Sequence, residues 1–257
     1  MRIQCNQYSY TPYKNYATPS FGRSGRNYKT KEGLEMSTVT CPFRSDMEWL
    51  ELAQFEIDNF KNKNKVNIIQ FAASDGSEAY TQIMSLLESD NYRNTKKFFP
   101  IKAYDIDENV VKAARSGLIN LHTVDECDIA ENCRDFNRYY FNTNEKLHIP
   151  DNFCDSIDKC YKTYKVAPTL TNKVIFNQGD IFKIVPHIED NSNSIVLCRN
   201  MLAYFSGQKI HEIIDTLSQR LKSGSIIVTG GLDTNNVDNY IKLSGFEEVI
   251  KHVFKKI

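Results

Sequence analysis

Four short stretches of this chain carry side chains suited to holding a charged or hydrogen-bonding ligand. The first is Ser74-Asp75-Gly76-Ser77-Glu78, where an apolar run gives way to helical spacing. Backbone N–H groups at such a helix start attract anions or electron-rich groups, and a glycine lets a ligand approach closely. Only one glycine is present and no G-x-G-x-x-G, a poor pattern for a pyrophosphate. Glu78 points elsewhere, because a carboxylate there repels phosphate and can hold an ammonium group. A ligand with an amino-acid end and a nucleoside end, such as S-adenosylmethionine, suits it better than a nicotinamide dinucleotide. The plainer alternative is that Glu78 only complements the helix dipole.

The second stretch is Tyr104-Asp105-Ile106-Asp107. An acid at a strand end can accept from both hydroxyls of a ribose. Asp107 suits capping of the helix that follows, which leaves Asp105 for the ribose. The third is Asn177-Gln178-Gly179-Asp180, where Asp180 could accept from an adenine amino group. The fourth is Cys198-Arg199-Asn200-Met201-Leu202-Ala203-Tyr204-Phe205. Each alone is more often structural than not, and four on one edge make a stronger statement. All four follow a strand pattern, and in open α/β sheets ligands bind outside the carboxyl ends of strands.

The elements that must position them alternate. Val66–Ala73 reads as a strand and Glu78–Glu88 as a helix, then Phe98–Tyr104 as a strand and Asp107–Ser116 as a helix stopped by Gly117. Val174–Phe176, Ser194–Cys198 and Ser225–Thr229 are further strands, with a helix face at Ile210, Ile213, Ile214, Leu217 and Leu221 ending at Gly224. A short helix near Asn236–Leu243 and one last strand near Phe246–Phe254 close the chain. Ahead of them, Ser45 and Glu48 fit a capping box for a helix with a stripe of Met47, Leu50, Ala53, Ile57 and Phe60. Repeated β-α units predict an α/β fold: a mostly parallel sheet with helices on both faces. Residues 118–172 break the rhythm and are too long for a plain loop, so they predict a small inserted subdomain. Residues 1–36 hold five tyrosines among polar and basic residues and read as a flexible arm, leaving 37–257 as the folded domain.

Composition narrows the function classes. Over 257 residues, 32 Lys and Arg balance 32 Asp and Glu, so no basic field marks a nucleic-acid binder. No apolar stretch is long enough to span a membrane and no apolar signal core opens the chain, which predicts a cytoplasmic protein. The 7 cysteines include no C-x-x-C; the pairs Cys127/Cys133 and Cys154/Cys160 read as buried thiols in a reducing compartment. The 5 histidines have no metal-ligand spacing, and no metal is expected.

The motifs resemble those of the CheR-type methyltransferases, which use S-adenosylmethionine to methylate glutamates of bacterial chemotaxis receptors. Ala73-Ser74-Asp75-Gly76-Ser77-Glu78-Ala79-Tyr80 looks like that family's A-S-T-G-E-E-P-Y turn. Asp105-Ile106-Asp107 with Lys112–Gly117 resembles its D-I-D and K-A-R-S-G segments, and Cys198-Arg199-Asn200 with Tyr204-Phe205 its C-R-N-x-x-x-Y-F signature. Thr40-Cys41-Pro42-Phe43-Arg44 resembles its T-x-F-F-R element, and the likeness covers about residues 38–257. Asp75 stands where the family has Thr, and the turn's second glutamate-proline step is Glu78-Ala79 here. The family's N-terminal helical domain has no counterpart in the polar arm.

By that resemblance Glu78 holds the methionyl ammonium, Asp105 the ribose and Asp180 the adenine side. Thr40, Ala73, Gly76, Arg199 and Asn200 complete the cofactor site, while Arg44 and Tyr204 border the methyl group and the acceptor. The implied fold is Rossmann-like, with a mostly parallel seven-stranded sheet, and the implied reaction is methyl transfer to a protein glutamate. A carboxylate is already ionised at neutral pH, so no general base is required, and alignment by Arg44 would carry catalysis. Two other readings stay open: methylation of a small-molecule carboxylate, and a cofactor-binding module without turnover.

Overall fold

The structure is a computed structural model that describes residues 27–29, 35–37, 40–147, 161–189, 193–233 and 235–257. Most of the N-terminal arm, and Cys154 and Cys160, lie outside the described residues. Within the arm, β1 (Asn27–Lys29) pairs antiparallel with β2 (Glu35–Ser37), so regular backbone pairing begins ahead of the expected boundary at residue 36.

The chain then runs through α1 (Trp49–Asn59), β3 (Asn67–Phe71), α2 (Ser77–Ser89), the single turn α3 (Tyr92–Thr95), β4 (Ile101–Asp105) and α4 (Glu108–Arg115). Residues 118–172 hold β5 (Leu118–His122), α5 (Thr123–Asn132), β6 (Tyr140–Asn142), β7 (Tyr161–Val166) and the turn α6 (Pro168–Thr171). After them come β8 (Val174–Gln178), the turn α7 (Ile181–Ile184), β9 (Ser194–Leu197), α8 (Gly207–Arg220), β10 (Ile226–Val228), α9 (Asn235–Leu243), β11 (Phe246–Ile250) and β12 (Val253–Lys256).

Seven strands form one sheet in the order β11-β12-β10-β9-β3-β4-β8. Pairing is parallel from β10 through β9, β3 and β4 to β8, and antiparallel where β12 meets β10 and β11. The fold is therefore the α/β, mostly parallel sheet that the alternating periods imply. One expected strand is two, because the final strand turns at Lys251-His252 and doubles back as a hairpin. His252 takes a φ of 65° there, and its N–H donates to Glu248 Oε1 at 3.3 Å. From β3 the chain winds outward to β4 and β8, then returns to the other side of β3 as β9. That reversal opens a crevice between the carboxyl ends of β3 and β9, the usual ligand position in such sheets. A second sheet, antiparallel in the order β5-β7-β6, is built within residues 118–172.

The capping box does not form: the residue ahead of α1 is Glu48, and no side chain caps that end. Of the expected stripe, Met47, Ala53, Ile57 and Phe60 are buried while Leu50 is 37% exposed, and Trp49, Leu52 and Glu56 join the buried face. Glu56 is the carboxyl group on that otherwise apolar face. Its Oε2 accepts from Gln82 Nε2 of α2 at 2.6 Å, and Oε1 is buried without a partner. Burial pushes Glu56 up from the ordinary 4.5 to about 8, so the folded chain keeps it protonated at neutral pH. The unfolded chain releases that proton near 4.5, so this group costs stability as pH rises from there to about 8. Glu56→Gln is expected to remove that slope, about 1.4 kcal/mol per pH unit in the window. Urea melts of both proteins at pH 5 and pH 8 check it, and parallel pH profiles would rule it out.

Candidate active site

The turn after β3 is tightly bent. Ala72 and Ser74 take φ of 53° and 50°, and Gly76, at the N-terminus of α2, takes 91°. Such positions cost non-glycine residues about 1–3 kcal/mol each and persist only where the surroundings hold them. Here Ala73 N donates to Tyr104 O at 3.0 Å and Ser74 N to Asp105 Oδ2 at 2.9 Å, so the end of β4 clamps the turn. A Cβ on Gly76 would sit 2.7 Å from Phe176 Cζ and 3.1 Å from Tyr80 Cε2. Gly76→Ala is therefore expected to lower stability by at least about 1–3 kcal/mol and to weaken cofactor binding as the turn moves. Thermal melts with and without S-adenosylhomocysteine test this, and a variant matching the parent in both would refute it.

Asp105 is 8% exposed, and both its oxygens accept from backbone: Oδ2 from Ser74 N, Oδ1 from Asp107 N at 3.0 Å. Burial raises its pKa, and those N–H donors oppose the rise. Each oxygen keeps a lone pair for a further donor. Asp107 caps α4, its Oδ1 accepting from Asn109 N at 2.8 Å. Asp180 caps α7 through Oδ1, which accepts from Phe182 N at 3.0 Å. Asp105 and Asp180 line one cleft of about 160 Å³ with Phe71, Ala72, Ile106, Ile181, Phe182, Met201 and Phe205. Apolar walls with two carboxylates at hand match a nucleoside, whose base wants flat contact and whose hydroxyls and amino group want acceptors.

Across the crevice lies a cluster of charges. Arg199 follows β9, and its side chain is 0% exposed. Nη1 donates to Glu78 Oε2 at 2.7 Å, Nη2 donates to Asp46 Oδ1, and the guanidinium lies 4.5 Å from the centre of the Trp49 ring. Glu78 Oε1 accepts from Gln70 Nε2 at 3.2 Å, which ties the helix start to β3. Asp46 Oδ2 accepts from Asn200 Nδ2 at 3.2 Å and from Gly231 N at 2.8 Å, and Arg44 Nε lies 3.9 Å away. Asn200 takes a φ of 55°; its N–H donates to Asp233 Oδ2 at 2.8 Å and its Oδ1 accepts from Leu232 N at 2.9 Å.

The two acids of the cluster respond oppositely to the same surroundings. Burial pushes Asp46 up, but Arg199, the Gly231 N–H, Arg44 and Asn200 together hold it below the usual carboxylate range. Burial dominates at Glu78 and raises it, against the pull of Arg199, with Asp46 adding repulsion.

The expected site residues thus fall into two groups and two outliers. Asp105 and Asp180 share the cleft, with Ala73 and Gly76 in the turn beside it. Arg44, Glu78, Arg199 and Asn200 are gathered around Asp46. Tyr204 closes the short turn Leu202–Tyr204, half-buried, and Thr40 is half-buried at the start of the segment leading to α1. Among the described residues, no hydrogen bond ties either side chain to the cluster. Sequence reasoning missed Asp46, Trp49, Gln70 and Asp233. Asp46 was absorbed into a capping pattern, and Gln70 hides inside an apolar strand. Asp233 carried a signal, since it follows Gly230-Gly231 just past the strand at Ser225–Thr229.

The family described as CheR methyltransferase, SAM binding domain, matches residues 39–249, most of the chain. The chain belongs to that family. CheR-family proteins are S-adenosylmethionine-dependent methyltransferases, and S-adenosylmethionine is the cofactor of this CheR domain. Over 195 residues it is 21% identical to a chemotaxis protein methyltransferase of Listeria monocytogenes, covering 75% of this chain and 64% of the relative. A chemotaxis protein methyltransferase of Listeria innocua matches with the same identity and coverage. The CheR domain described here therefore spans somewhat less than two thirds of the length of these relatives. Among solved structures, an O-methyltransferase family protein from Burkholderia thailandensis is similar over 80% of this chain and 57% of that one, with 12% identity and a TM-score of 0.41.

Proposed function

We propose that this CheR-family chain transfers the methyl group of S-adenosylmethionine to a carboxylate, with a protein glutamate as the acceptor. The observation that carries the reading is the contrast between the two arginines. Arg199 is buried and holds two acids through Nη1 and Nη2, whereas Arg44 is 26% exposed and, among the described residues, makes a 3.9 Å ion pair with Asp46. In this reading Arg44, at the rim, offers its guanidinium fork to an incoming carboxylate.

In this reading the cofactor is held by the two groups of residues described above. Asp105 accepts from the ribose, Asp180 from the adenine side, and Glu78 from the amino group, with Thr40, Ala73, Gly76, Arg199 and Asn200 shaping the site. The bound cofactor supplies an electrophilic methyl group on a sulfonium. Arg44 aligns the acceptor carboxylate in line with that methyl group, and Tyr204 adds a hydrogen bond. Since the acceptor is ionised at neutral pH, no residue has to take a proton, and catalysis rests on alignment.

Incubation with radiolabelled S-adenosylmethionine and a host lysate tests this. Label entering protein as an alkali-labile ester is the expected result. Alkali-labile label confined to small molecules would shift the acceptor to a metabolite carboxylate. Alkali-stable label would overturn the carboxylate reading.

A further inference from the structure

Arg199 carries one positive charge into the interior, and Glu78 alone would balance it. The chain supplies a second acid. With Nη1 on Glu78 and Nη2 on Asp46, the trio of one buried guanidinium and two half-buried carboxylates has a formal charge of +1 − 2 = −1. The next cation, Arg44, is 3.9 Å from Asp46 Oδ2, too far for a hydrogen bond, and leans toward solvent. We infer that Asp46 sets the charge of this site: with Arg199 shared between two acids, the cluster as a whole keeps negative charge for the cationic amino group of the ligand. Asp46 is in these terms a positioning residue that acts through Arg199 and Glu78. The inference rests on the assignment of Glu78 to the amino group in the proposed function.

Asp46 also has a purely mechanical reading. Its Oδ2 accepts from Asn200 Nδ2 and Gly231 N, so it clasps the segment before α1 to the ends of β9 and β10. Charge and clasp make different predictions about which ligands suffer. A clasp supports the whole site, nucleoside cleft included. A charge matters only to the end of the ligand that is positive.

Two probes separate them: S-adenosylhomocysteine, which carries the amino group, and 5′-methylthioadenosine, which has the thioether and nucleoside without the amino-acid end. Calorimetry on the full chain measures both. Asp46→Asn keeps the volume and an acceptor oxygen but removes the charge. It is expected to weaken S-adenosylhomocysteine about tenfold or more and to leave 5′-methylthioadenosine unchanged, so the preference between the probes collapses. Asp46→Glu, which restores the charge with altered geometry, is expected to keep the preference. Equal loss of both probes in Asp46→Asn, or loss of neither, would overturn the inference. If Asp46→Asn does not fold, Asp46→Glu decides alone: a retained preference supports the charge role, and a lost one overturns it. Failure of the parent chain to bind S-adenosylhomocysteine at all would remove the cofactor-site assignment as well, whereas the variant outcomes bear on Asp46 only.

Discussion

Arg44→Ala is expected to lose methyl transfer by about 10²–10³-fold, the usual effect of deleting one electrostatic contact to the reacting groups, while affinity for S-adenosylhomocysteine changes far less. The geometry separates its two halves. The Arg44 carbonyl accepts from Met47 N at 3.3 Å and from Trp49 Nε1 at 3.3 Å, so the backbone is anchored whatever the side chain is. Its guanidinium makes no hydrogen bond to Asp46, which already has Arg199, Asn200 and Gly231. Truncation should therefore leave the fold and the cofactor cleft in place. Arg44→Lys should recover only part of the rate, because an ammonium cannot reproduce a two-pronged contact. Rates and binding measured on the same variants decide the matter. A fall in affinity equal to the fall in rate would make Arg44 a cofactor anchor, and no change in either would make it a surface residue.

Glu78→Ala is expected to damage binding and stability together. Loss of a charge-assisted contact to the ligand weakens cofactor affinity by about ten- to a hundredfold. Removing one partner of a buried ion pair costs about 3–5 kcal/mol, so the melting temperature should fall by roughly 10 °C. The second effect follows from Arg199, which would keep Asp46 alone, and from Gln70, whose Nε2 would lose its acceptor while its Oε1 is already unpartnered. Glu78→Gln retains the volume and an acceptor for Gln70, and should recover part of the stability without the affinity. Stability lost with affinity intact would mean that Glu78 serves Arg199 alone; affinity lost at full stability would mean that Asp46 suffices for the arginine.

The residues that were legible in the sequence are those whose placement depends on near neighbours. Gly76 and Glu78 follow an apolar run and open a helical one, so their position at a strand-to-helix turn needs only local spacing. Asp107 was separable from Asp105 for the same reason, since capping acts across two residues and the Asp107–Asn109 bond is observed. The alternation of periods sufficed for a mostly parallel sheet, because parallel neighbours demand crossovers and the helices between the strands provide them. Local spacing misled where a polar side chain is buried. Glu56 lies on the buried face of α1, where an apolar pattern leaves out a carboxyl group, and a hairpin turn at Lys251-His252 has neither glycine nor proline to mark it.

What only the tertiary structure decided is the partnership of charges. Asp46 and Arg199 are 153 residues apart, and Glu78 and Arg199 are 121 apart. No periodicity links such positions, and a carboxylate two residues after an arginine looks like an exposed pair on any sequence. The return of β9 to the flank of β3 brings them together, and burial then makes the pairing matter by removing the water that would otherwise screen each charge. Which residues can hold a cofactor was therefore a property of the chain read locally. Which arginine is buried between two acids, and which stays at the rim, follows from the order of strands in the sheet.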